Sequence, residues 1–150
     1  MSNGKDVRKG YHCVWQIHYH IVFPVKYRKV LLDEEVVEII RGTAIGIGQR
    51  YAIEMEAIGM DKDHIHILCS SHPKMSPGEI VRIFKSITGR EVFRRKPLVR
   101  KELWGGEFWT DGYYASTVGK HGNEEMISQY VKKQGKEYYK LHEDRQLALF

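Results

Sequence analysis

Cysteine is scarce in this 150-residue chain: Cys13 and Cys69 are its two thiols, and they do not share a CxxC spacing. Both fall in apolar, strand-like stretches. That favours a pair of buried free thiols over a disulfide or a zinc knuckle, which fits a cytoplasmic setting. Long apolar runs are missing as well. No uninterrupted stretch could span a bilayer, so no membrane partner is expected, and the N-terminus lacks a signal-peptide core. Low-complexity tracts are also absent. With 42% hydrophobic residues, one folded domain over 1–150 is expected, large enough to bury a core. The first ten residues read as a flexible N-terminus, and the tail from about Glu143 adds nothing to the core.

What is present includes a modest positive excess, 24 Lys and Arg against 19 Asp and Glu, which permits a nucleic-acid partner without requiring one. Much of it is local. Lys85, Arg90, Arg94, Arg95, Lys96, Arg100 and Lys101 stand against Glu91 and Glu102, a density that suits phosphate contacts and equally an ordinary charged surface. Lys26, Tyr27, Arg28 and Lys29 form a second basic segment, a loop after Pro24.

The chemistry concentrates in Asp63-His64-Ile65-His66-Ile67-Leu68-Cys69. Strand side chains alternate faces, so Ile65, Ile67 and Cys69 read as a core side. His64, His66 and Leu68 share the other, with the two imidazoles about 7 Å apart along the strand. Imidazole is the commonest metal ligand among side chains, and two on one face make half of a metal site. Two half-exposed histidines that contact only water fit the same spacing.

Around this strand the chain falls into a simple order. Tyr11–Phe23 alternates as one strand, with Cys13, Trp15, Ile17, Tyr19, Ile21 and Phe23 on the core side and Gln16, His18 and His20 on the other. Asp33 caps a helix with a Val36, Val37, Ile40, Ala44, Ile47 stripe, running to about Tyr51. Gly42, Gly46 and Gly48 lie late in that helix with the wrong spacing for a nucleotide loop, and close packing explains them better. Ile53–Met60 makes a hairpin with the histidine strand. Ser76-Pro77-Gly78-Glu79 is a capping box that opens a second helix, fading before Pro97. Phe108–Val118 reads as a fourth strand, and a last helix starts at Asn123.

Strand, helix, strand, strand, helix, strand is the split βαβ order. It predicts an α+β, ferredoxin-like fold: a four-stranded antiparallel sheet with two helices on one face and an added C-terminal helix. Gln16, His18, His20, His64 and His66 should then share the uncovered face, where His18 and His20 read more readily as solvated polar positions than as ligands. Base stacking of the RNA-recognition kind is poorly supported, because the third strand offers histidines where aromatics are wanted. A two-histidine phosphodiesterase would want Ser or Thr two residues after each histidine, and neither pair supplies one. A structural zinc site would want four close N/S ligands. On the last helix Tyr130 and Gln134 stand one turn apart on one face. A tyrosine hydroxyl can be a nucleophile and a glutamine carbonyl can complete a hard-metal site, although a helix tyrosine is commonly core.

These residues together resemble a known family. Asp63-His64-Ile65-His66-Ile67-Leu68 looks like the HUH signature, histidine-hydrophobe-histidine. His20-Ile21-Val22-Phe23 with Lys26-Tyr27-Arg28-Lys29-Val30-Leu31, Phe84-Lys85-Ser86-Ile87-Thr88, Leu103-Trp104-Gly105-Gly106, and Phe108-Trp109-Thr110-Asp111-Gly112-Tyr113-Tyr114 through Thr117-Val118-Gly119 match in the same order. The chain from about Tyr11 to Gln134 is thus similar to the single-tyrosine HUH transposases of insertion sequences that move as single-stranded DNA, close to the REP-associated tyrosine transposases. Lys62 departs from it, standing where many relatives carry proline. The resemblance implies metal-dependent cleavage and rejoining of single-stranded DNA through a 5′-phosphotyrosine. Tyr130 would be the nucleophile, and His64, His66 and Gln134 would be ligands to Mg²⁺ or Mn²⁺. It further implies a homodimer that shares its active sites between subunits, and DNA hairpins recognised by the basic residues Lys26, Arg28, Lys85, Arg90, Arg94, Arg95 and Lys96. It gives no ligand role to His18 or His20. A domesticated relative acting on palindromic repeats, a replication-initiator nickase, and a non-catalytic nucleic-acid-binding module are the alternatives.

Overall fold

The computed structural model describes residues 7–119 and Glu125. Tyr130, Gln134, the helix expected from Asn123 and the tail from about Glu143 lie outside the described residues. The chain forms β1 (Arg8–Gly10), β2 (Cys13–Trp15), β3 (Tyr19–Pro24), a turn over Lys26–Arg28, α1 (Glu34–Arg50), β4 (Ile53–Met60), β5 (His64–Ser71), α2 (Pro77–Arg95), a short α3 (Pro97–Lys101) and β6 (Tyr114–Thr117). The main sheet has the order β4-β5-β3-β6, with every pairing antiparallel.

Both long helices begin as their sequences dictate. The Asp33 side chain accepts from the Val36 amide at 2.9 Å, with Glu34 and Glu35 in the first turn, where carboxylates complement the helix dipole. Ser76 Oγ accepts from the Glu79 amide at 3.1 Å behind Pro77. The buried stripes of α1 (Val36, Ile40, Ala44, Ile47) and α2 (Ile80, Val81, Phe84, Val92) meet Ile21, Phe23, Ile58, Met60, Ile65, Ile67 and Cys69 in one core. Phe23 sits at its centre, edge-on to Phe84 at 5.8 Å and Trp109 at 4.9 Å. The Trp109 indole donates to Thr88 Oγ1 at 2.9 Å, so the one polar atom of that ring is satisfied on burial.

Several expectations change. Tyr11–Phe23 is not one strand. Its first part, β2, pairs with β1 in a separate two-stranded sheet, and only Tyr19 onward joins β5 and β6. Alternation of side chains runs through both pieces and cannot reveal the change of partner. The N-terminal stretch is accordingly structured from Arg8, where Arg8 pairs with Glu54 at 2.8 Å. Gly10 lets this hairpin close, since a Cβ there would lie 2.9 Å from the Trp15 ring. Cys13 is only half-buried, whereas Cys69 is fully buried, and both are free. Close packing does not explain Gly42 or Gly46, because a Cβ at either position would meet nothing within 4 Å. The expected Phe108–Val118 strand shrinks to Tyr114–Thr117. Phe108 and Trp109 instead turn into the core, and Trp109 keeps a single bridge to Val25.

Candidate active site

Register puts the histidines together. β3 pairs with β5 so that Pro24 faces His64, Val22 faces His66 and His20 faces Leu68. His20, His64 and His66 therefore lie on the sheet face opposite the helical core. The His64 and His66 rings stand 4.9 Å apart, tilted by 64°. His66 stacks on His20 at 5.4 Å with 12° between the planes, and His20 Nε2 lies 3.2 Å from His66 Nδ1, one nitrogen donating to the other. Tyr114 of β6 meets His20 edge-on at 6.1 Å. Burial holds the His20 imidazole below its ordinary proton affinity, favouring the neutral ring.

His64 is oriented differently. Its Nδ1 lies 2.8 Å from Asp63 Oδ1, and Arg28 Nε donates to Asp63 Oδ2 at 3.3 Å. The hydrogen bond from His64, reinforced by Arg28, holds the Asp63 carboxyl below the usual range, so it stays an anion. A carboxylate on one imidazole nitrogen fixes the tautomer and raises the basicity of the other. Here that other atom is Nε2, which lies 3.8 Å from Asp61 Oδ2.

The face is not uncovered throughout. Leu68, Ala57, Glu56, Ser70 and His18 are buried, while His20, His64 and His66 are half-buried. His18 is no solvated position: its Nδ1 meets Glu56 Oε1 at 2.5 Å, and that carboxylate reaches it where a register shift between Met55 and Ala57 interrupts β4. Gln16 falls between β2 and β3, exposed and outside the sheet. Among the described residues no group of three His, Cys, Asp or Glu side chains could hold a metal ion. The two imidazoles could bind a divalent cation only together with further ligands from outside this cluster.

The basic residues separate into two places. Lys26 pairs with Glu107 at 2.8 Å, and Arg28, already bonded to Asp63, sits beside the histidines. Lys85, Arg90 and Arg94 open onto a groove of about 780 Å³ between α2 and the segment 106–113. Lys85 donates to the Thr110 and Gly112 carbonyls at 2.6 and 2.9 Å, which ties that segment down. Arg94 and Arg95 share Glu91, Lys96 pairs with Glu35, and Arg90 is exposed. The sequence reading did not single out Asp63 as the orienting carboxylate, although its place directly before His64 was a signal. The His20–His66 stack had no local signal, because it depends on register.

Residues 13–134 match the model of the IS200-like transposases, and the chain belongs to this family of DNA-transposing enzymes. It is 29% identical over 129 residues to the ISDra2 transposase TnpA of Deinococcus radiodurans, covering 86% of this chain and 91% of that one. It is 31% identical over 134 residues to the transposase for insertion sequence element IS200 of Salmonella typhimurium, covering 86% and 84%. Among solved structures, a candidate transposase from Deinococcus radiodurans superposes with a TM-score of 0.69 at 28% identity, covering 85% of this chain and 97% of that one. A REP-associated tyrosine transposase bound to a REP hairpin shares the fold, with a TM-score of 0.53 at 10% identity over 83% and 72%. Among the described residues no helix is long and apolar enough to cross a membrane.

Proposed function

We propose that this protein cleaves and rejoins single-stranded DNA at insertion-sequence ends through a covalent tyrosine intermediate, on a ferredoxin-like fold completed by a C-terminal helix that carries the tyrosine. The observation that carries the reading is the His64–His66 pair, side by side on one sheet face with His64 held by Asp63. The family match supports it, since it spans Tyr130 and ends at Gln134.

His64, His66 and Gln134 would hold Mg²⁺ or Mn²⁺, with Nε2 as the ligating atom of each imidazole. Bound there by neutral ligands, the ion would keep its full charge and polarise the scissile phosphate. Tyr130 supplies the nucleophile. Its phenolic oxygen forms a bond to phosphorus as the bond to the 3′ oxygen breaks, and the phenolic proton is lost to solvent. The departing oxygen takes up a proton and becomes a 3′-OH. A 3′-OH at a second junction later attacks the 5′-phosphotyrosine, reseals the strand and frees the phenol, so no nucleotide cofactor is consumed. A phenol with a pKa of about 10 needs such assistance at neutral pH. The partner is single-stranded DNA with hairpin ends, contacted by Arg90 and its basic neighbours on α2, and the working unit is a homodimer that shares its sites between subunits.

Incubation of labelled single-stranded element ends with protein and Mg²⁺ tests the reading. The native protein should yield a covalent adduct on a denaturing gel, and Tyr130→Phe should yield none while still binding hairpins. Normal cleavage by Tyr130→Phe would remove Tyr130 from the mechanism.

A further inference from the structure

Two exposed aromatics, Tyr27 and Trp104, meet at the loop over Lys26–Arg28, which is joined to the residue preceding His64. Trp104 is 85% exposed, whereas Trp109 is buried in the core. Among the described residues Trp104 is engaged through its backbone, its carbonyl accepting from the Tyr27 hydroxyl at 3.1 Å. The Tyr27 residue is itself 54% exposed. A tryptophan this exposed is unusual, because indole ordinarily buries most of its surface.

The loop that presents Tyr27 is strained and firmly held. Tyr27 and Arg28 both adopt left-handed backbone, with φ of 60° and 51°, a conformation that side chains other than glycine rarely take and that clusters at ligand clamps. Backbone hydrogen bonds enforce it: Val25 N to Asp63 O at 2.8 Å, Lys26 N to Phe108 O at 2.9 Å and Arg28 N to Val25 O at 2.8 Å. The first ties the loop directly to the residue preceding His64. The Arg28–Asp63–His64 hydrogen bonds tie it a second time. The Lys26 ammonium, ion-paired with Glu107, lies 5.6 Å from the Tyr27 ring centre.

We propose that Tyr27 and Trp104 form a stacking platform for unpaired bases of the strand that leads to the His64–His66 pair. This rests on the single-stranded DNA reading above. Exposed aromatic rings beside cations are what sequence-tolerant single-strand binders offer, because every base has a face to stack. Bases within a duplex keep their faces inside the stack, so a hairpin stem would gain nothing from these rings.

The test is binding of a labelled oligo-thymidine strand and of a blunt hairpin, each measured by anisotropy over a salt series in EDTA, so that cleavage plays no part. Trp104→Ala should weaken oligo-thymidine binding roughly tenfold or more, leave the salt slope as it was, and leave hairpin binding unchanged. Trp104→Phe should restore most of the loss. Tyr27→Asn, which tolerates left-handed backbone, should weaken the same probe. Failure of the native protein to bind oligo-thymidine, or equal binding by Trp104→Ala, would overturn the proposal. So would a loss of affinity accompanied by a fall in oligomeric state on sedimentation, which would make the surface a contact between copies. None of these outcomes bears on whether Tyr130 forms an adduct, so the two readings fail separately.

Discussion

His18, just before β3, and His64, at the start of β5, each have a carboxylate on Nδ1, and they have opposite fates. His18 and Glu56 are both buried, sealed against each other at 2.5 Å. His64 and Asp63 keep 23% and 27% of their side chains exposed, and Arg28 holds the second oxygen of that carboxylate. An imidazole locked to a buried acid is a structural element, because releasing either partner would strand a polar group away from water. An imidazole held by a partly exposed acid has its ring fixed while its other nitrogen stays outside that pair, the arrangement the proposed metal role would use. Exposure of the carboxylate, more than the presence of histidine, separates the two pairs.

The comparison is open to attack in order of expected effect. His66→Ala should lower DNA cleavage by more than about a hundredfold, since losing even an outer partner of a ligating histidine costs about 10–100-fold. Its unfolding free energy in urea should change by less than about 1 kcal/mol. Glu56→Ala should behave the other way: a loss of about 3 kcal/mol in urea unfolding, the penalty for breaking a buried pair, which would be tolerated as reduced folded population. Equal, small stability effects of both substitutions would erase the distinction. Asp63→Asn keeps the shape and removes the charge. Manganese affinity measured by calorimetry should fall by about 10–100-fold, whereas an unchanged affinity would mean that Asp63 orients nothing.

The smallest effect is on acid stability. The Asp63 carboxyl is held below its usual range by His64 and Arg28. Its contribution is therefore fully present above the unfolded value of about 3.9 and lost as pH falls through the lower folded value. Acid unfolding of native protein and Asp63→Asn should differ most above about pH 4 and converge below it. A gap that widens with acid would give the shift the wrong sign.

Much of this was legible because local rules governed it. The Asp63–Cys69 stretch alternates cleanly and Ile53–Met60 is bounded by turns, so both fold as expected, as β5 and β4, and the caps at Asp33 and Ser76 are read by the amides of Val36 and Glu79. Misreadings came where partners are set at long range. Alternation through Tyr11–Phe23 looks the same whether the strand continues or, as here, leaves one sheet for another after Trp15. His18 looked wet because nothing near it in sequence announces Glu56, 38 residues on. The polar Arg8-Lys9-Gly10 carries no strand signal of its own, and β2 supplies its pairing. At the site, the spacing of His64 and His66 was plain. The stack of His20 on His66 depends on the register that sets Val22 opposite His66, and the exposure of Trp104 depends on a turn where Gly105 and Gly106 take φ of 94° and 76°.

The most direct test is a crystal of the full chain soaked in Mn²⁺, with anomalous scattering locating the metal. A single strong peak within bonding distance of Nε2 of both His64 and His66, with His18 still on Glu56, is the predicted result. A peak at His18, or a metal bound elsewhere with the His64 and His66 rings uninvolved, would contradict the claim that these two imidazoles are the protein's metal-binding half-site.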